Sequence, residues 1–412
     1  MSKWLRFKAN RLGYISLWIF SILFGLSLCA ELIANDKPLV VRYEGKFYFP
    51  LVKNYPETVF GGDFATRTDY LDPDIKKNIT DGANWAIYPI IPYSYETLNY
   101  FAKEPNPAAP SAENWLGTDD RGRDVLARLI YGFRLSILFG IALTVVGVVI
   151  GVITGALMGF FGGRFDLITQ RIIEIWSAMP ELYLLIIFAS IFNPSVLLLI
   201  ILLAAFGWMG LSDYVRAEFF RNRALEYVRA AKALGLTNAQ IMRRHILPNS
   251  LTPVITFLPF RMSAAILSLT SLDFLGLGVP PGTPSLGELL SQGKANLDAW
   301  WISLSTFFVL GGTLLLLTFM GEALRDGVAQ SHRASAQNDC RLALMRFQNQ
   351  GQAARPTQHD LSPQNQRPWV NPIASVHGCA RFHALRVPIR EAGLGSGRAR
   401  HSRSAAQHRY AY

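Results

Sequence analysis

Apolar and polar positions divide this chain into six long hydrophobic runs joined by polar stretches. The runs cover residues 14–34, 135–161, 175–192, 196–211, 251–272 and 301–320. A bilayer core takes about 20 predominantly apolar residues in helical form, so each run is predicted to be a transmembrane helix. Asn193, Pro194 and Ser195 alone separate the third and fourth runs, which predicts a tight turn there. The first run follows a basic start (Lys3, Arg6, Lys8 and Arg11) and shows no small-residue cleavage pattern. It also outlasts a signal-peptide core, so it is expected to stay as a span; a cleaved signal is the lesser alternative.

Two polar stretches carry their own periodicity. Residues 117–140 read GTDDRGRDVLARLIYGFRLSILFG. The acidic residues suit a turn that caps the next helix. Val125, Leu126, Leu129 and Ile130 make the apolar face of a short amphipathic helix leading into the second span. Residues 226–250 read EYVRAAKALGLTNAQIMRRHILPNS. Here Leu225, Val228, Ala231 and Leu234 form an apolar side with Arg229 and Lys232 opposite. Gly235 interrupts as a helix C-cap glycine does, Thr237 and Asn238 suit a second cap, and Pro248 is expected to stop the second helix. The product is a helix–turn–helix too short for a core of its own. Its apolar face needs either a protein partner or a lipid surface.

Charge adds an orientation. Within residues 212–250, seven Arg and Lys face three acids, whereas residues 273–300 hold one lysine, Lys294. By the positive-inside pattern the N-terminus and the 212–250 loop are cytoplasmic, and the long 35–134 segment is extracytoplasmic. The expected divisions are residues 1–34 (N-terminus and first span), 35–134, a membrane core at 135–328 and a tail at 329–412. Half of the 412 residues are hydrophobic and only 17% are charged, which excludes an ordinary soluble domain.

The tail differs from everything before it. It contains twelve Arg, no Lys and three acids (Asp339, Asp360 and Glu391), hence +9 of the chain's net +11. The basic balance therefore belongs to the tail and does not argue for a nucleic-acid partner. No sustained periodicity runs through it. Out-of-frame translation, a disordered extension and a basic arm for anionic lipid or RNA are the three readings, in that order of preference.

Within the spans, Gly147, Gly151, Gly155 and Gly159 recur every four residues and predict a groove for close helix packing. Arg261 falls near the middle of the fifth run. A cation there suits a cavity where it meets a substrate carboxylate, an ion pair, or a water-filled vestibule. Glu181 follows Pro180 at an expected break in the third run, and Asp273 sits at the boundary of the fifth. Cys29, Cys340 and Cys379 have no metal-type spacing. No nucleophile–base constellation and no G-x-x-x-x-G-K-[ST] loop occurs in the chain, so it is not expected to be an enzyme.

The 226–250 stretch resembles the EAA loop of ABC-importer permeases. GTDDRGRD at residues 117–124 and SLDFLGLGVPPGTPSLGELLSQG at 271–293 resemble the dipeptide/oligopeptide branch of that family. Residues 17–58 are similar to a branch linked to import of peptides and the peptide-like antibiotic microcin C. The resemblance implies an all-α, polytopic inner-membrane protein with the type I permease fold of an ATP-driven peptide importer. It implies that Glu226, Ala230, Ala231, Gly235, Ile241, Leu247 and Pro248 couple the chain to an ATP-binding subunit. ATP and Mg would sit on that partner, and this chain would bind no cofactor. A second permease, an extracytoplasmic peptide-binding protein and membrane lipid are the other implied partners. Such permeases end shortly after the equivalent of residues 321–326, which fits the out-of-frame reading of the tail. A self-sufficient secondary transporter is the rival, but it would need intramembrane acidic relays, and the second and fourth runs contain none.

Overall fold

A computed structural model describes the backbone of residues 3–98, 105–193 and 195–353, with side chains up to residue 328. Residues 1–332 form one compact unit. The chain opens with α1 (Lys3–Ala9), α2 (Arg11–Leu28) and α3 (Ala30–Ile33). The segment that follows carries β1 (Val40–Tyr43), β2 (Lys46–Tyr48), a 3-10 turn (Glu57–Phe60), α4 (Pro73–Thr80) and β3 (Trp85–Ile87). Then come α5 (Val125–Phe161), α6 (Gly163–Ser177), α7 (Glu181–Ile191), α8 (Val196–Gly207) and α9 (Met209–Arg223). The hairpin is α10 (Glu226–Ala233) and α11 (Asn238–Gln240), continued by a π-turn (Ile241–Ile246) into α12 (Leu247–Phe274). Last are α13 (Leu286–Ala295) and α14 (Trp300–Ala353).

Four helices are long and apolar enough to cross a bilayer: Arg11–Leu28, Val125–Phe161, Asn238–Phe274 and Trp300–Val328. Two bent pairs, α6 with α7 at 68° and α8 with α9 at 41°, bring the number to six when each pair is counted as one span. The first bend follows from sequence. Pro180 is the N-cap of α7, where its missing N–H is not needed, and it ends the preceding helix. The lead-in helix expected before the second span is fused to it, so α5 begins at Val125. The Asp124 side chain caps it by accepting from the Ala127 N–H at 2.7 Å.

The segment between α3 and α5 carries no predicted elements in the sequence reading. It contains a three-stranded antiparallel sheet in the order β2-β1-β3, with Val41 opposite Tyr48 and Ala86. These residues face a small core in which Phe60 is fully buried. Tyr43, Tyr48, Tyr55 and Tyr70 surround the Phe60 ring edge-on at centroid distances of 5.6, 5.3, 6.2 and 5.6 Å. Three- and four-residue strands with little alternation leave no clear period-two signal, which is why the sheet was not read from sequence.

The glycine groove on α5 is filled by α9. A β-carbon on Gly155 would lie 2.4 Å from the Ser212 carbonyl oxygen and 2.9 Å from the Val215 β-carbon. One on Gly159 would lie 2.5 Å from the Phe219 β-carbon, and one on Gly151 2.9 Å from the Trp208 carbonyl oxygen. The two backbones are therefore nearly in contact, and any side chain would separate them.

At the C-terminus α14 continues as helix to Ala353, although residues 329–353 lack an amphipathic pattern. Ala, Gln, Arg, Leu and Met have high intrinsic helix propensity whether or not they are periodic. The rest of the tail, residues 354–412, lies outside the described residues.

Gly155→Leu is expected to displace α9 and cost at least about 3 kcal/mol by overpacking. Gly25→Leu, where a β-carbon would meet nothing within 4 Å, is the control and should leave stability unchanged. Melting temperature and size-exclusion profile of the detergent-solubilised variants measure both. Equal profiles would show that the helices do not depend on this contact.

Candidate functional site

The hairpin after α9 is built from local signals. Leu236 N–H bonds the Ala231 carbonyl (3.2 Å) and Gly235 N–H bonds the Lys232 carbonyl (3.0 Å), the paired bonds that close a helix through a left-handed residue. Gly235 is that residue, with φ of +79°. Thr237 and Gln240 then cap the second arm reciprocally: Gln240 N–H to Thr237 Oγ1 at 3.3 Å, Thr237 N–H to Gln240 Oε1 at 3.0 Å.

Pro248 does not stop that arm, contrary to the sequence expectation. The helix passes through the π-turn at Ile241–Ile246 and runs on as α12. A proline inside an α-helix clashes with the carbonyl four residues back, here that of Arg244. The wider π-turn moves the carbonyls of this stretch and makes room for the ring.

The apolar face is also occupied differently from expectation. Val228 is fully buried and Ala231 nearly so. Both pack with Phe160, Val215, Phe219, Ile241, Ile246 and Val254. This face therefore finds its partner inside the chain, and the hairpin is seated on the helix bundle. Leu234, expected on the same face, is 80% exposed. Of the residues assigned to coupling, Glu226, Ala230, Gly235 and Pro248 are exposed. Ala231 and Ile241 are buried beneath them and Leu247 is partly buried. The hairpin thus presents an outer surface, with Leu225, Tyr227 and Leu234 as its exposed large apolar groups, above an inner face that holds it in place.

Ionic contacts fix the C-terminal end of α5 below the hairpin. Arg223 donates to the carbonyls of Gly159 (3.2 Å) and Phe160 (3.1 Å), satisfying the helix end and its dipole. Arg216 on α9 makes a two-point pair with the buried Asp166 of α6, Nη2 to Oδ2 being 2.6 Å. Asn222 donates to Ser250 Oγ at 2.9 Å and ties the base of the hairpin to α12. The arginines were legible only as topology charges; their partners lie 50 and 64 residues away.

At the N-terminal end of α5 the other two motifs meet. Arg123 pairs with Asp119 (2.7 Å) and Glu288 (3.3 Å). Arg128, whose side chain is fully buried, pairs with Asp119 (3.6 Å) and Glu288, and donates to the Tyr95 carbonyl (3.1 Å). Asp273, at the end of α12, accepts from Val279 N–H (2.8 Å) and from Ser285 Oγ. It is a buried staple for the loop to α13 rather than a boundary residue. Burial pushes the Asp124 carboxyl above its ordinary value, against the hydrogen bonds from Asn114 and the backbone amides that hold it ionised. One signal for this cluster was available in sequence: an arginine, Arg128, inside an otherwise apolar helix stretch.

Arg261 meets a partner that the sequence reading did not weigh. Its Nη2 donates to the Gly207 carbonyl, at the end of α8 where the chain bends into α9. The same nitrogen lies 3.0 Å from the position a β-carbon on Gly147 would take. The cation thus caps a broken helix end across the glycine groove. Its Nε is buried and makes no hydrogen bond. Among the described residues, no group of His, Cys, Asp and Glu is placed to hold a metal ion.

Helices that span in bent pairs, a capped hairpin seated on them and ion-tied loops at the far end define a multi-pass membrane protein. Residues 147–333 match the family described as binding-protein-dependent transport system inner membrane component. The chain belongs to this family of ABC-transporter permeases. It is 52% identical over 325 residues to the inner membrane ABC transporter permease protein YejE of Escherichia coli (strain K12), covering 79% of this chain and 95% of that protein. It is 49% identical over 348 residues to the peptidoglycan transport system permease protein YejE of Agrobacterium fabrum, covering 79% and 91%. It is 33% identical over 254 residues to the oligopeptide transport system permease protein OppC of Mycobacterium bovis, covering 61% and 86%. The protein is therefore a multi-pass inner-membrane transport component and not an enzyme.

Glu288→Gln removes a charge from the fully buried Arg128 while keeping the side chain's shape. A loss of about 2–4 kcal/mol is expected, less than for a wholly buried pair because Glu288 is partly exposed. Glu174→Gln breaks the exposed Arg171–Glu174 pair and should cost less than about 0.5 kcal/mol. Thermal melting of both variants tests the contrast, and equal shifts would show that the cluster carries no special stability.

Proposed function

We propose that the chain forms part of the translocation path of an ATP-driven importer for oligopeptides or peptide-like compounds. The relatives' names support this class of substrate: an oligopeptide transport system for one, a peptidoglycan transport system for another. The N-terminus and the hairpin lie on the cytoplasmic side, as the basic residues of the 212–250 loop favour. The sheet-bearing segment then faces outward, towards a peptide-binding protein. A second permease completes the path. ATP and Mg are bound by a separate subunit that docks on the exposed surface of the hairpin, and membrane lipid surrounds the rest. No nucleic acid is involved.

The observation that carries the proposal is the two-sided hairpin. Its inner face, Val228 and Ala231, is locked to α5, α9 and α12. Its outer face leaves Glu226, Ala230, Leu234 and Gly235 exposed. A push on the outer face reaches the spans without crossing a flexible joint. Ala231 and Ile241 then act by holding the docking surface, not by touching the ATPase. Arg261 acts on the path by fixing the bend between α8 and α9.

Gly235→Val tests the coupling role. A β-carbon there meets nothing within 4 Å, so the whole cost is backbone strain at positive φ, about 1–2 kcal/mol. The spans should insert normally, while ATPase copurification or substrate-stimulated hydrolysis and vesicle uptake fall. Gly235→Asn should be milder, because Asn tolerates the left-handed region. Wild-type values of all three measurements for Gly235→Val would reduce the stretch to a surface hairpin.

The tail from residue 329 is proposed to be dispensable, since all but its first five residues lie beyond the family match, which ends at residue 333. A stop codon after Val328 should leave membrane insertion and uptake intact. Resequencing the coding DNA around that codon tests the out-of-frame reading directly.

A further inference from the structure

At the sheet end of α5 a cleft of about 1260 Å³ opens between the inserted segment and the start of that helix. Its volume exceeds the usual range for a single small-molecule pocket and leaves room for a short peptide with water. Its charged lining comes from two parts of the chain. Lys37, Arg67 and Lys76 come from the sheet-bearing segment. Asp36 and Asp69 of the same segment line it too, and an Asp69 oxygen is engaged by the Leu71 N–H at 2.9 Å. Lys37 is held in place by Asn54 Oδ1 at 2.7 Å, and none of the three cations forms an ion pair with a described residue. Burial, and the Arg67 guanidinium next, hold the Lys37 ammonium below its ordinary value, against the smaller opposing effect of the Asp36 carboxylate.

Glu96 and Glu113, from the stretch between β3 and α5, line it as well and pair with no described cation, while Tyr95 hydrogen-bonds Glu96. Glu31 and Arg134 also line it, but they neutralise one another at 2.8 Å. Tyr93, Tyr95 and Trp115 add aromatic surface. Cations and carboxylates that form no ion pair among the described residues, together with that aromatic surface, match a molecule carrying both charges.

We propose that this cleft is a binding subsite for short zwitterionic peptides, with Lys37 and Arg67 receiving the C-terminal carboxylate and Glu96 and Glu113 the N-terminal ammonium. The inference rests on the peptide-import reading and on the outward orientation of this segment. Neither the hairpin nor Arg261 takes part in it.

The test uses the full chain in lipid nanodiscs and trialanine as probe, read by the part of the tryptophan fluorescence that Trp115→Phe removes. Saturable quenching by trialanine is expected. Trialanine amide and N-acetyl-trialanine should each bind about tenfold more weakly, the loss of one charge-assisted contact. Arg67→Gln, at an exposed side chain, should weaken trialanine about tenfold and leave the amide unchanged; Glu113→Gln should do the same with the acetylated form as the insensitive ligand. Equal binding of all three peptides, no quenching, or indifference to both substitutions would overturn the subsite. Uptake by the reconstituted transporter separates the two readings. Import of trialanine without binding at this cleft rejects the subsite alone. Binding without import of any peptide rejects the import reading and leaves the subsite as a peptide-binding feature.

Discussion

The near-contact of the α5 and α9 backbones along Gly151, Gly155 and Gly159 is the constraint on which the rest depends. No hydrophobic driving force holds helices together inside lipid, so close packing must do it. Once α9 is seated, Arg223 reaches the terminal carbonyls of α5 and Arg216 reaches Asp166. The α10 face then finds Phe160 and Phe219 at the right depth. Higher up the groove, Gly147 leaves room for the Arg261 guanidinium beside Gly207. A side chain in the groove would disturb each of these contacts together.

The two ends of α5 are held by different physics. The hairpin end rests on apolar packing with a few arginine caps. The sheet end rests on a buried ionic cluster, in which Arg128 is surrounded by Asp119, Glu288 and backbone carbonyls. Buried pairs return little net stability over an apolar core, but a missing partner is costly. Such a cluster is sensitive to geometry: it favours one arrangement of the α12–α13 loop over its neighbours. Asp273 adds a second demand for the same arrangement. Apolar contacts at the other end tolerate sliding more readily, because they are non-directional.

Much of the fold was legible because membrane helices are long and internally hydrogen-bonded. Six apolar runs became four continuous candidate spans and two bent pairs, and the four-residue glycine period became a groove. Gly235 and Thr237 were readable as caps, since capping chemistry is local. Two of the misreadings turned on partners remote in sequence. Val228 and Ala231 form an apolar stripe whether they face a partner subunit or Phe219. Arg261 was weighed against ions and substrates, while its partner is the carbonyl of a helix that happens to break at Gly207. Pro248 breaks helices by a local rule, and a π-turn that no periodicity announces suspended it. The strands around Phe60 were too short to show a period.

The π-turn at Ile241–Ile246 has a consequence for how this family can vary in length. A π-turn is an α-helix that carries one residue more than its turn needs. Deleting a single residue there would restore ordinary helix geometry and keep the faces on either side in register, because the widened turn absorbs the extra residue. Ser250 would still meet Asn222 and Val254 its core, but the Pro248 ring would meet a carbonyl. Adding a residue that the turn does not absorb would instead rotate everything beyond it by about 100°. Between Thr237 and Ser250 the helix faces thus set what an insertion costs, and the Pro248 ring sets what a deletion costs.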